Sequence, residues 1–250
     1  MISGFRQTFS QTRYFLIPLL LFWLFLGTCI GIFGYRESFA ILNPGFHNPI
    51  TDFLALYFTH LADGIILPFV ILLFAWKFDK SVALSALACI FATGIIVQGL
   101  KYMIFDSWDR PPVLMNDTPE IVIVPDQPPH HNSFPSGHSA SFTAGGIAFA
   151  WLSKEWKWIF QVSVGLFTIA LCYTRIHLGV HFPGDVLAGS MIGGIAGMVI
   201  FALVHPPLAD WAAKAPLRSW RKFSHWIIAA VVLFIALRFY QLAFLDEWIG

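Results

Sequence analysis

The chain has 250 residues, of which 57% are hydrophobic and only 12% are charged. Soluble domains carry roughly 25% charged residues, so this composition excludes an ordinary water-soluble fold. The formal net charge of +1 gives no basic surface of the kind that binds nucleic acid. The three cysteines, Cys29, Cys89 and Cys172, all lie within apolar segments, and we expect packing residues instead of disulfide partners.

Apolar segments of roughly membrane-spanning length recur along the chain. The first, from about Tyr14 to Phe33, is longer than the h-region of a signal peptide, and we interpret it as an uncleaved span. The later segments cover about residues 54–76, 82–100, 139–152, 158–173, 186–204 and 226–239. Their continuous apolar character favours helices over the alternating strands of a barrel. The sequence therefore predicts an all-α polytopic membrane bundle with a six-span core and a seventh, C-terminal span.

No internal repeat and no soluble domain interrupts this pattern. We expect one integral membrane domain over residues 1–250, with an extra C-terminal span at about 224–243. The predicted sixth span carries Gly189, Gly193 and Gly197 at four-residue spacing. Small residues at this spacing let helix backbones approach closely within lipid, so we assign these glycines to packing and not to chemistry.

Basic residues predict the orientation, because short cytoplasmic loops hold an excess of Lys and Arg. With the N-terminus inside, the cytoplasmic side receives Arg6, Arg13, Lys77, Lys80, Lys154, Lys157, Lys214, Arg218, Arg221 and Lys222. The outer side keeps Arg36, Lys101, Arg110, Arg175 and Arg238. This distribution predicts that the long, proline-rich connection at residues 102–134 faces the periplasm or the exterior. Compact size favours a protein of the bacterial inner (plasma) membrane.

Three polar segments lie at membrane–water boundaries on this outer side: residues 101–111, residues 135–138 and residues 175–185. A single cation at the end of a span is most often an interfacial anchor. Three cations and two histidines on the same side favour a binding site instead. Arg and Lys neutralise phosphoryl oxygens, and the free N–H groups at the start of a helix hold anions, so the segments fit phosphate.

Histidines supply the reactive groups that phosphate ester cleavage needs. His138 and His181 can divide the roles of nucleophile and general acid, and we expect both at a surface site outside the apolar packing. Asp185 follows His181 by four residues, so its carboxylate can fix the tautomer of that imidazole.

The three segments together resemble the signature of the type 2 phosphatidic acid phosphatase superfamily. They read Lys101…Arg110-Pro111, then Pro135-Ser136-Gly137-His138, then Arg175 through His181 to Asp185. Two departures from the family pattern occur. Thr174 stands where the family usually has Ser, and eight residues separate Lys101 from Arg110 where the family usually has six.

The resemblance implies a role for each matching residue within the motif-bearing core, residues 101–185. His181 attacks phosphorus, His138 protonates the leaving oxygen, and Asp185 orients His181. The phosphoryl oxygens are held by Lys101, Arg110, Ser136, the Gly137 amide and Arg175. Water then hydrolyses the phosphohistidine, and neither a metal ion nor a cofactor is required.

The substrate implied by the resemblance is a lipid phosphate in the membrane. Compact size favours three bacterial lipids: undecaprenyl pyrophosphate, which is slightly preferred, phosphatidylglycerol phosphate and the phosphates of lipid A. A lipid phosphotransferase would use the same residues. A transporter is disfavoured because the polar residues cluster at one boundary instead of lining several spans. A haloperoxidase is disfavoured because those relatives are soluble.

The remaining histidines have no assigned chemistry. His130 and His131 are interpreted as a solvated pair in a loop in preference to a metal site. His177 is interpreted as a structural or lipid-headgroup contact. The others are interpreted as interfacial residues whose partners the sequence alone does not identify: His47, His60, His205 and His225.

Overall fold

The computed structural model describes residues 2–62, 66–68, 70–71, 78–115, 117–118, 121–124, 131–153 and 157–214, with single positions at 225, 229, 232, 233 and 236. Within these residues all regular structure is helical. The α-helices are α1 (Ile2–Phe33), α2 (Tyr35–Leu42), α3 (Pro49–Thr59), α4 (Lys80–Met103), α5 (Pro111–Leu114), α6 (Gly137–Trp151), α7 (Lys157–His177) and α8 (Pro183–Lys214). Two 3-10 turns, Pro44–Phe46 and His60–Ala62, flank α3.

Four of these helices, α1, α4, α7 and α8, are long and apolar enough to cross a membrane. They confirm four of the predicted spans and an all-α membrane protein. The helices extend beyond the predicted apolar segments, since α8 continues from Val204 to Lys214. Helical hydrogen bonding continues past the end of the continuous apolar segment, so hydropathy marks only the centre of such a helix.

The predicted second span is wrong at its start. Leu54 belongs to α3, which begins at Pro49 and ends at Thr59, where a 3-10 turn follows. The side chain of Asn48 accepts hydrogen bonds from the first turn of α3 and forms a capping box with Thr51, so a separate helix begins before the apolar segment. Most of the remainder of that predicted span, and most of the predicted seventh span, lie outside the described residues.

Helix α8 packs against α1, α4 and α6, and its glycines allow very close approach to α6. A Cβ added at Gly189 would lie 2.2 Å from the backbone oxygen of Ser136, and one added at Gly193 would lie 2.2 Å from that of Ala140. A Cβ at Gly197 would lie 3.1 Å from the Cα of Ala144. The close packing predicted for these three glycines is confirmed.

The packing brings four helix ends together at one end of the bundle. Val97, in the last part of α4, faces Gly137 at the start of α6, and the amide of Ser136 donates a 3.0 Å hydrogen bond to the carbonyl oxygen of Asp185 in the first turn of α8. The end of α7 joins them through the five-residue connection to α8. All three sequence segments therefore meet at this end.

Candidate active site

Lys101 lies in the last turn of α4, where its side chain is buried. Its Nζ atom donates a 2.8 Å hydrogen bond to the carbonyl oxygen of Asn132, a residue with a positive φ of 61° just before the second motif. Lys101 interacts electrostatically with Arg110, Arg175 and Asp185. The longer spacing to Arg110 thus does not remove Lys101 from the cluster, because the extra residues form turns after the helix.

The two arginines enter the same centre from different elements. Arg110 precedes α5, and its Nη1 atom is 3.5 Å from the carbonyl oxygen of Val180. Arg175, in the last turn of α7, is buried and donates from Nη1 to Oγ1 of Thr59 at 2.5 Å. In both guanidinium groups the Nε atom is buried and has no hydrogen-bond partner among the described residues.

The second motif forms the start of α6. Ser136 is the N-cap residue, and its Oγ atom accepts hydrogen bonds from the amide and the hydroxyl of Ser139 at 3.4 and 3.0 Å. A Cβ at Gly137 would make only an ordinary van der Waals contact, with Val97 at 3.7 Å. His138, on the first turn, interacts electrostatically with all three cations of the cluster. The helix start therefore presents free N–H groups and an imidazole to the cationic centre.

His181 lies in the connection between α7 and α8 and is held by Asp185. The Nδ1 atom of His181 is 3.2 Å from Oδ2 of Asp185. Burial, followed by the positive charges of Arg110, Lys101 and Arg175, lowers the pKa of His181 well below its ordinary value. The imidazole is therefore neutral at pH 7, with Nε2 as the nitrogen that is not directed at the carboxylate.

The expected surface location is wrong for His181, whose exposed fraction is only 1%. The aromatic rings of Tyr35 and Phe39 pack on Phe182, with centroids 5.0 and 5.4 Å away, and cover the connection on this side. Hydropathy could not reveal this cover, because Tyr35 and Phe39 belong to α2, far away in the sequence.

Two residues missed by the sequence reasoning complete the environment of Asp185. The hydroxyl of Tyr35 donates to Oδ1, and the hydroxyl of Ser133 donates to Oδ2 at 2.5 Å. The amide of Phe182 adds a 3.0 Å hydrogen bond to Oδ2. Burial raises the pKa of Tyr35, so its phenol keeps the proton that it donates. Ser133 is only three residues before Ser136, whereas no local signal marks Tyr35.

Histidines outside the motifs also have partners. His131 pairs with Asp109 at an exposed position, in agreement with a loop interpretation, whereas His130 is outside the described residues. His47 and His177 were interpreted separately, yet both contact the carboxylate of Asp52. The contact of His177 agrees with a structural role, whereas His47 has a partner that the sequence did not identify, because α3 brings Asp52 beside the end of α7.

Fold and site together define an integral membrane protein with a cationic, histidine-containing pocket at one end of its helices. Comparison with known proteins identifies the family. Residues 82–207, half of the chain, match the model of the PAP2 superfamily, and the chain belongs to that superfamily. The resemblance of the three motifs is thereby confirmed.

Curated and solved relatives agree with this assignment. The lipid A 4'-phosphatase of Bacteroides thetaiotaomicron is 36% identical over 85 residues, which cover 34% of this chain and 36% of that protein. The undecaprenyl-diphosphatase of Sulfolobus acidocaldarius is 23% identical over 188 residues, which cover 72% of this chain and 87% of that protein. The crystal structure of Aquifex aeolicus LpxE is similar with a TM-score of 0.57 and 31% identity, covering 66% of this chain and 93% of that one. The named relatives are phosphatases, which are hydrolases acting on phosphate esters.

Proposed function

We propose that this chain is a membrane lipid phosphatase that hydrolyses a phosphomonoester or a diphosphate through a phosphohistidine at His181. The observation that carries the proposal is the excess of buried positive charge. Lys101 interacts electrostatically with Arg110, with Arg175 and with one buried carboxylate, Asp185. The Nε atoms of both arginines have no partner among the described residues. Unpaired buried donors and cations are costly, so the pocket is suited to a bound phosphate.

The proposed reaction has two steps. Nε2 of His181 attacks phosphorus, the bond from phosphorus to the lipid oxygen breaks, and His138 gives that oxygen its proton. Asp185 holds Nδ1 of His181 and stabilises the positive charge that develops on the ring. Water, deprotonated by His138, then attacks the phosphohistidine, which releases inorganic phosphate and restores neutral His181. Lys101, Arg110, Arg175, Ser136 and the Gly137 amide hold the phosphoryl oxygens, and no metal ion takes part.

A cavity next to His138 supports a lipid leaving group. It has a volume of about 860 Å³ and lies between α4 and α6, with apolar walls that include Phe91, Ile95 and Val97. Because the general acid must touch the leaving oxygen, the lipid tail would extend from His138 into this cavity. The relatives act on lipid A phosphates and on undecaprenyl diphosphate, and these two lipids are the first candidates.

Phosphate release from a panel of lipid phosphates tests this function. Purified protein in detergent, without added magnesium, is incubated with undecaprenyl pyrophosphate, phosphatidylglycerol phosphate and lipid A, each with and without an acceptor lipid. We expect inorganic phosphate from at least one lipid and inhibition by vanadate. Transfer of the phosphoryl group to the acceptor in place of water would identify a phosphotransferase. A strict requirement for magnesium would contradict the mechanism.

We also propose a six-span core with a seventh C-terminal span as a single domain, with the site facing the periplasm or the exterior of a bacterial inner membrane. Support comes from charge, since Lys80, Lys157 and Lys214 lie at the helix ends opposite the motifs. Single cysteines at the exposed positions Asp117 and Ala213, in a Cys29→Ser background, test the orientation. A membrane-impermeant thiol reagent on intact spheroplasts should label Asp117→Cys and spare Ala213→Cys. The reverse pattern would place the site on the cytoplasmic face.

A further inference from the structure

Three potential metal ligands meet where the end of α7 touches the start of α3. Oδ1 of Asp52, in the first turn of α3, is 2.7 Å from Nδ1 of His47 and 2.8 Å from Nε2 of His177. The two imidazole rings are stacked, with centroids 4.0 Å apart and planes 17° from parallel. All three ligand atoms lie within 4.8 Å of one another. Two imidazole nitrogens thus face the same carboxylate oxygen.

We propose that His47, Asp52 and His177 bind one divalent transition-metal ion of the zinc class. Two imidazoles and a carboxylate are a ligand set that suits zinc and its neighbours, whereas magnesium prefers oxygen ligands alone. A zinc ion about 2.0–2.2 Å from each ligand requires both nitrogens to move roughly half an ångström away from Oδ1 of Asp52. The two rings must also turn out of their stacked arrangement, so that both nitrogens face the ion. The site goes beyond the phosphatase reaction, whose motifs do not include His47 or Asp52.

The backbone that carries the ligands is fixed by polar side chains, as a built site requires. Buried Asn43 donates from Nδ2 to the carbonyl oxygens of Ile176 and His177 at 2.9 and 3.1 Å, which ties the end of α7 to the segment before His47. The hydroxyl of Thr51 donates to the carbonyl oxygen of Phe46 at 2.6 Å, which fixes the turn between His47 and Asp52. These contacts hold the backbone of the ligand residues in place. None of them uses a ring nitrogen of His47 or His177.

Exposure and charge are also suited to an ion that enters from water. The side chains of His47 and His177 are 11% and 5% exposed, whereas that of Asp52 is 31% exposed. The cluster is thus closed on the protein side and open on one side, where a water ligand completes four-coordination. The carboxylate of Asp52 is the acidic ligand of the set.

The position of the site assigns it a structural role next to the catalytic pocket. Thr59, the last residue of α3, accepts a hydrogen bond from Arg175, and Arg175 is two residues before His177. An ion between Asp52 and His177 would hold α3 on α7 and so keep Thr59 against Arg175. We expect metal binding to raise the stability of this end of the bundle.

Metal content and thermal unfolding of the full chain test the site without any activity assay, so failure here is distinct from failure of the phosphatase function. Protein in detergent is stripped with a chelator, dialysed and titrated with ZnCl2. We expect one zinc per chain by elemental analysis and a Tm increase of about 5–10 °C at a hundredfold excess over Kd. Magnesium should give no increase.

The variants Asp52→Asn and His177→Gln should lose both the bound zinc and the Tm increase. His131→Gln is the matched control, because it removes a histidine from another histidine–aspartate pair, with Asp109, that has no third ligand among the described residues. If a variant fails to fold, cobalt substitution of the wild-type protein decides, since nitrogen and oxygen ligation gives visible d–d absorption. No bound zinc, or equal binding by Asp52→Asn and the wild type, would overturn the proposal.

Discussion

Oδ2 of Asp185 lies 3.2 Å from Nδ1 of His181, and the same carboxylate also receives hydrogen bonds from Tyr35, Ser133 and the amide of Phe182. This geometry leaves Nε2 of His181 as the nitrogen available for attack on phosphorus. The carboxylate thereby connects His181 to α2, through Tyr35, and to the segment before α6, through Ser133.

Asp185→Asn should lower kcat by about 10³–10⁴-fold with little change in KM, because the amide cannot hold the required tautomer or stabilise the charged ring. Steady-state phosphate release measures the effect. The exposed Asp117→Asn serves as the matched control and should behave as wild type. A rate for Asp185→Asn within tenfold of wild type would exclude the proposed role of the carboxylate.

Removal of either hydroxyl donor to Asp185 should have a smaller effect. For Tyr35→Phe and for Ser133→Ala we expect about a tenfold loss of kcat, since a hydrogen bond to a charged group contributes about 1.5–3 kcal/mol and is made here to the orienting residue. Tyr14→Phe is the control, because the Tyr14 amide bonds to Gln161 near the start of α7, whereas the site lies at the end of that helix. If the two hydroxyls act on the same carboxylate, the double variant should lose less than the product of the single losses.

The contacts of Asp185 include some that the sequence predicted and one that it could not predict. Spacing within one segment predicted that Asp185 orients His181 and that a helix starts at the second motif, because such contacts are local. The contact between Tyr35 and Asp185 spans 150 residues and depends on how α2 folds over the pocket. No pattern in the sequence indicates that Tyr35 lies next to Asp185.

The same distinction holds for the helices. The length of the apolar segments was sufficient to predict α1, α4, α7 and α8, because a helix that crosses the hydrocarbon core must be long and apolar. It was not sufficient for α3, whose start depends on the capping side chain of Asn48, and which brings Thr59 to Arg175 and Asp52 to His177. Polar contacts between distant elements therefore account for most of what the sequence could not predict.

Gly189→Ala should destabilise the protein and lower its activity. The new Cβ would lie 2.2 Å from the carbonyl oxygen of Ser136, so α8 or the start of α6 must move, at a cost of about 1–3 kcal/mol. Gly31→Ala, on α1, is the matched control, since nothing lies within 4 Å of its added Cβ, and it should be neutral or slightly stabilising. Thermal unfolding and phosphate release compare the two. Equal behaviour would contradict the close packing.

The pH dependence should report the charge around His181. Burial and the three cations lower the pKa of His181 below its ordinary value of 6.5, so the neutral nucleophile persists until the pH falls through that lowered pKa. The acid limb of kcat/KM should therefore lie below pH 6.5. Lys101→Met removes one cation and should move this limb to higher pH. An acid limb at or above the ordinary value in the wild type would refute this electrostatic account.

Trapping of the phosphoenzyme tests the central claim, that His181 carries the phosphoryl group. Purified protein is mixed with a radiolabelled lipid phosphate that it hydrolyses, quenched in alkali, where phosphohistidine survives, and mapped by peptide mass spectrometry. Label should appear on His181 in the wild type and be absent from His181→Asn, which should also release no phosphate. Turnover by His181→Asn at a rate similar to the wild type, with no label on the wild-type protein, would contradict the mechanism.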